Sequence, residues 1–165
     1  MVRFRPNPLL LTLLLITGCD RAPNMPELGE EVQRFLGSYV TTIEARDTAA
    51  LRTYLTDDRL RFVWYEDGEA RYRTPAQVLK AVAELPSDAP PRTRLTGTTV
   101  LPLDSWTVWA AARFETSVGS GESAYSFGGV MTVVLEREDG RWKILTGHTS
   151  TRRTRTDSTV NGGAD

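Results

Sequence analysis

A single histidine, His148, and a single cysteine, Cys19, bound the chemistry open to this 165-residue chain. One histidine excludes a multi-histidine metal centre, and a zinc site would lack thiolate ligands as well. As the one imidazole, His148 is the candidate proton donor or acceptor. Its alternative role is structural, at the end of a strand and hydrogen-bonded to backbone. Arg113 sits within a strand-like run, where a guanidinium either awaits an anionic ligand or pairs with Glu115. Most carboxylates (Asp57, Asp58, Glu66, Asp67, Asp104, Glu122, Glu138 and Asp139) fall in turns or on polar helix faces. Glu115 alone lies mid-strand on the supposed inner face of the sheet. Serine, histidine and aspartate are all present, but no nucleophile-elbow motif is. Aromatic residues such as Trp64, Tyr65, Trp109 and Phe127 either wall a ligand site or are simply core. The expected ligand-binding set is Tyr39, Trp64, Trp109, Arg113, Phe127, Met131 and His148. The alternative, a catalytic site, would use His148 with Glu115. No metal or cofactor is expected.

The first nineteen residues have their own pattern. Arg3 and Arg5 precede an apolar run, Leu9 to Ile16, and Thr17-Gly18 supplies small residues before Cys19. That is the layout of a secretory signal, and the run is shorter than the ~20 residues a membrane span needs. Ile16-Thr17-Gly18-Cys19 resembles the lipobox of bacterial lipoproteins. The resemblance implies that residues 1–18 are removed and that Cys19 is acylated, palmitate included, which anchors the chain in the cell envelope. The domain would then face the periplasm or the cell exterior. A lone thiol forms no internal disulfide, which agrees with that role. Net charge is -1 in full; losing Arg3 and Arg5 makes it -1 - 2 = -3. Nothing in that balance draws the chain to nucleic acid.

The remaining elements must position the candidate residues. Residues 19–26 read as lipidated cysteine and tether. Asn24 and Pro26 open a helix whose stripe is Leu28, Val32, Phe35, Leu36, Tyr39, Val40 and Ile43, ending near Arg46. Asp47 caps a short second helix. Leu60 to Tyr65 and Glu69 to Tyr72 form a hairpin across Asp67-Gly68. Thr74-Pro75-Ala76-Gln77 is a capping box that starts a third helix. Four long strands follow: Arg92 to Leu101, Trp106 to Thr116, Tyr125 to Arg137 and Arg141 to Thr149, the last two joined by Asp139-Gly140. The order predicts an α+β fold, with helices on one face of a curved antiparallel sheet. Residues 152–165 carry no apolar period and are expected to be a disordered tail.

Three pieces together resemble the SnoaL-like branch of the nuclear transport factor 2-like superfamily. They are Asp67-Gly68 leading into Thr74-Pro75-Ala76-Gln77-Val78, the run Ala111-Ala112-Arg113-Phe114, and Asp139-Gly140-Arg141-Trp142-Lys143-Ile144 ending in His148-Thr149-Ser150. The resemblance covers residues 27–151. It implies a cone-shaped fold, a cavity between sheet and helices, and dimerisation through the sheet. It implies no single activity, because enzymes, binders and assembly modules share the fold. Isomerases and cyclases of this group use a carboxylate in an apolar cavity, which this chain lacks apart from Glu115. The expected function is therefore binding of a small, partly apolar, possibly anionic ligand without turnover. The alternatives are an isomerase, dehydratase or cyclase, and a structural dimerisation or docking module.

Alternation along the second long strand separates Trp106, Val108, Ala110, Ala112 and Phe114 from Thr107, Trp109, Ala111, Arg113 and Glu115. Apolarity alone would turn the first set inward. The family pattern places Arg113 inside the cone, and Trp109 and Ala111 with it; that is the expectation adopted. Phe127, Met131 and Val133 follow inward from the next strand, unless Gly128-Gly129 is a bulge. Trp142, Ile144, Thr146 and His148 are expected to share one face.

Overall fold

The computed structural model describes residues 24–58, 60–119 and 124–152. The lipobox, Cys19 and the C-terminal tail beyond Arg152 lie outside the described residues. Three helices, α1 (Met25–Glu44), α2 (Thr48–Arg52) and α3 (Pro75–Ala83), accompany six strands. The strands are β1 (Val63–Glu66), β2 (Glu69–Tyr72), β3 (Arg92–Pro102), β4 (Thr107–Val118), β5 (Tyr125–Glu138) and β6 (Arg141–Arg152). The fold class is α+β, as the element order predicts.

Local chemistry explains most boundaries. α1 buries Leu28, Val32, Leu36, Tyr39 and Val40, one stripe at three- and four-residue steps. The Asp47 side chain accepts from the Ala50 amide and caps α2. In α3 the Thr74–Gln77 capping box is complete in both directions. Both tight hairpins turn on residues with positive φ: Asp67 and Gly68, then Asp139 and Gly140. That is the backbone a two-residue hairpin loop needs to match strand twist.

All six strands form one sheet, in the order β2-β1-β6-β5-β4-β3. The long strands pair antiparallel with their sequence neighbours, while β1 pairs parallel with β6, Tyr65 opposite His148. The antiparallel expectation thus holds for the long strands and not for this junction. Beyond the start of β1, the segment after α2 continues the β6 edge. The Ile144 amide donates to the Tyr54 carbonyl at 2.7 Å, and the Thr56 amide donates to the Ile144 carbonyl at 3.0 Å.

The core lies between the helices and one face of the sheet. Val32, Leu36, Leu51, Leu55, Ala110, Leu135 and Ile144 are fully shielded from solvent. An aromatic chain runs through it: Phe35 to Tyr54 at 5.3 Å, Tyr54 to Tyr39 at 5.9 Å, and Tyr39 to Trp64 at 6.2 Å between ring centres. Trp64 lies flat against Gly147, where a Cβ would collide with its indole. Gly129 has the same origin: a side chain there would strike the Ser150 carbonyl and the Phe114 ring. No bulge occurs at Gly128-Gly129, since β4–β5 register runs unbroken past them, Glu115 opposite Gly128 and Phe114 opposite Gly129.

Candidate functional site

Strand alternation gives the sheet two chemically distinct faces, and the candidate residues divide between them. On β4 the buried set is Val108, Ala110, Ala112 and Thr116; Arg113 is exposed and Trp109 half-buried. Ala112 stands opposite Met131 and Ala110 opposite Val133, both buried, so this is the face turned to the helices. Arg113, Ala111 and Trp109 therefore point away from the cone. The inward placement adopted from the family pattern is corrected here. Val108, Ala110 and Ala112 pack against the helices at no desolvation cost and the Thr116 hydroxyl is paired with that of Thr93 at 2.8 Å, whereas a guanidinium there would need a buried partner. Phe127, Met131 and Val133 do share the helix-facing side, being opposite Thr116, Ala112 and Ala110.

The last strand needs a second correction. Trp142 and Ile144 face the helices, opposite Arg137 and Leu135, but a register shift follows at Leu145. Past it Thr146 pairs with Val134 and His148 with Thr132, so both stand on the outer face. One extra residue in a strand exchanges its two faces. The seven expected ligand residues thus make two groups. Tyr39, Trp64 and Met131 belong to the packed core at 4, 6 and 5 % exposure, with Phe127 on the same side. Trp109, Arg113 and His148 stand on the outer face.

Two depressions among the described residues hold the outer-face candidates. The smaller, about 110 Å³, is lined by Tyr65, Trp109, Thr132, Thr146 and His148. It has room for a few waters. The larger, about 680 Å³, lies over the other end of the same strands. Its wall includes Arg94, Arg113, Glu115, Val130 and Arg152 of the outer face, and where Gly128 and Gly129 carry no side chains it extends to Phe127 of the other face. That volume falls within the range of small-molecule sites. Glu115 is held by Arg94 at 2.8 Å, in an exposed pair. Three guanidiniums against one carboxylate leave a formal charge of 3 - 1 = +2 around the groove. Among the described residues Arg113 has no carboxylate within ion-pair distance, so of the two readings offered by the sequence the internal pair with Glu115 is not formed.

The catalytic alternative is not assembled in this geometry. His148 is level with Thr132, and Thr132 with Ala111. Glu115 lies four residues along β4 from Ala111, about 13 Å at the rise of a strand.

Sequence reasoning missed a third group. Glu66 is in β1, two residues from Trp64 and so on the same face. It is half-buried, and burial raises its carboxyl above the ordinary range; Arg71, 3.7 Å away, only partly offsets this. Burial also pushes the Tyr39 phenol up, with Tyr72 and Glu66 close enough to add to the effect. The two-residue spacing from Trp64 was the available signal. Arg94 and Arg152 were missed as well: Arg152 belongs to β6, opposite Gly128, rather than to the tail.

A family model described as the SnoaL-like domain matches residues 32–153. The chain belongs to the SnoaL-like family. The SnoaL-like domain therefore spans α1 to the end of β6, and its sheet and helices have the cone-shaped nuclear transport factor 2-like architecture. A protein named as a candidate scytalone dehydratase, from Novosphingobium aromaticivorans, superposes with a TM-score of 0.70 at 12% identity; the match covers 86% of this chain and 97% of that one. A protein of unknown function from Mycobacterium tuberculosis gives 0.68 at 17% identity, over 87% and 85%. A hexachlorocyclohexane dehydrochlorinase gives 0.64 at 15% identity, over 77% and 86%. At these identities the likeness shows the fold alone. No curated protein matches the sequence.

Proposed function

We propose that this chain is a lipid-anchored envelope protein whose SnoaL-like domain binds a small, partly apolar, anionic molecule without turning it over. The observation that carries the reading is the 680 Å³ groove, in which Arg113 stands beside Val130, its neighbour on β5, without a carboxylate partner among the described residues. A guanidinium offers a carboxylate two parallel hydrogen bonds, and the adjoining apolar wall takes the rest of such a ligand. Absence of turnover is supported by the engagement of Glu115 with Arg94 and by its separation from His148. Anchoring rests on Ile16-Thr17-Gly18-Cys19, and a domain facing the periplasm or the cell exterior follows from it. Pairing of two copies through the outer face, across Tyr65, Trp109 and Val134, is part of the same reading.

The test is native mass spectrometry of the processed protein after incubation with a bacterial metabolite extract. The reading expects a bound anion of unchanged mass that is lost in Arg113→Ala and kept in His148→Ala. A Cys19→Ser chain should leave the membrane fraction; one that stays there contradicts the anchor.

One observation favours a second reading, an enzyme of isomerase, dehydratase or cyclase type. Glu66 combines half-burial, a raised carboxyl and the neighbouring Tyr39 phenol, which are properties of a general acid. A product of altered mass or structure that disappears in Glu66→Gln would establish that reading in place of binding alone.

A further inference from the structure

Large apolar side chains are exposed together at one end of the molecule. Leu101 is 54%, Leu103 55% and Trp106 63% exposed, all in or beside the β3–β4 hairpin turn. Four amides of that turn are bonded within it. Asp104 Oδ1 accepts from the Trp106 and Thr107 amides at 2.7 Å each, and the Leu103 amide donates to the Thr107 carbonyl at 2.9 Å. The turn thus presents apolar side chains on a backbone fixed by its own hydrogen bonds.

This end is also where the chain enters the domain. The Arg137 amide donates to the Trp106 carbonyl at 2.8 Å, and the Arg137 guanidinium grips the Glu31 carboxylate of α1 at 2.7 and 2.9 Å. Met25, itself 44% exposed, begins the helix six residues before Glu31, about 9 Å along its axis. The far end of α1 is elsewhere: Glu44 accepts from the Thr93 amide at the start of β3. Five residues, 20–24, separate Cys19 from Met25, a reach of roughly 20 Å even when fully extended.

We propose that the Leu101–Trp106 turn is a membrane-contact element: Leu103 and Trp106 seat in the headgroup layer of a bilayer beside the acylated Cys19. The inference rests on the anchoring reading above. A tryptophan with an apolar body and one polar edge suits that layer. Asp104, held as an anion by the two amides, sets the depth: the turn enters the interface and not the hydrocarbon. The contact is therefore apolar and needs no anionic lipid, which suits an acidic domain. Arg113 lies seven residues along β4 from Trp106, roughly 24 Å away, so the groove stands clear of the bilayer.

The experiment uses the full chain, processed and reconstituted in phosphatidylcholine vesicles. With Cys19 acylated, a cysteine introduced as Leu103→Cys or Ser117→Cys is the one thiol open to a polarity-sensitive fluorophore. The label at 103 should shift to the blue and be quenched by lipids brominated on their acyl chains. The label at 117, at the other end of β4, should show neither change. A Trp106→Ser change in the Leu103→Cys protein should reduce the quenching. If the protein is acylated but the two labels behave alike, the turn does not touch lipid and the inference fails alone. If Cys19 keeps a free thiol, the anchoring reading fails and the inference with it.

Discussion

Adjacent alanines on β4 give the sharpest test of which sheet face is core. Ala112 is 2% exposed and stands opposite Met131 under the helices, while Ala111 lies half-buried on the outer face opposite Thr132. Changing each to leucine adds the same three carbons. At Ala112 they have no room, because Met131 and Val133 on the neighbouring strand are 5 and 2 % exposed. Overpacking of this kind costs about 1–3 kcal/mol. For a domain of this size each kcal/mol moves the melting temperature by roughly 4 °C, so Ala112→Leu should lower it by about 4–12 °C. Ala111→Leu should change stability by less than about 0.5 kcal/mol. Urea unfolding should give the same ordering, with the two slopes alike. Equal effects at the two positions, or a larger loss at Ala111, would refute the face assignment and return Arg113 to the interior.

Gly147→Ala should destabilise by about 1–3 kcal/mol in calorimetry, because the new methyl meets the Trp64 ring, itself held against Tyr39. Glu31→Ala should cost about 1 kcal/mol by freeing Arg137, which also stacks over Trp142 at 4.4 Å. Glu66 carries a linked prediction in pH. Its folded carboxyl binds a proton more readily than its unfolded one, so folding is favoured as pH falls through the raised value and is penalised above it. Glu66→Gln should therefore raise the melting temperature at pH 7, and the difference from wild type should shrink toward pH 4. A difference that grows on acidification would contradict the half-buried placement.

Sequence-local features were legible in the chain before folding. The Thr74–Gln77 capping box, the Asp67-Gly68 and Asp139-Gly140 hairpins and the α1 stripe all depend on residues within a few positions of one another. Face assignment on β4 was also legible, since Val108, Ala110 and Ala112 are smaller and more uniformly apolar than Trp109, Ala111 and Arg113. There the family pattern for Arg113 outweighed the simpler count of apolar side chains, and the count was the better guide. Two features had no local signal. The register shift at Leu145 depends on how β6 meets both β5 and the segment at Tyr54–Thr56, and it carried His148 to the opposite face. The parallel pairing of β1 with β6 joins residues more than eighty positions apart, and it is what places Glu66 near Tyr39. The two glycines of β5 suggested a bulge, whereas the close approach of Phe114 and Ser150 is their reason.

The central claim is that Arg113 and the groove around it take up an amphipathic anion on the outer face of the sheet. Titration with anilinonaphthalene sulfonate, an aromatic anion whose fluorescence rises on binding, tests this directly when wild type, Arg113→Ala and Tyr39→Phe are compared. Saturable binding that weakens about tenfold in Arg113→Ala and is unchanged in Tyr39→Phe is the predicted result. Binding that survives Arg113→Ala and falls in Tyr39→Phe would place the ligand inside the cone and contradict the account.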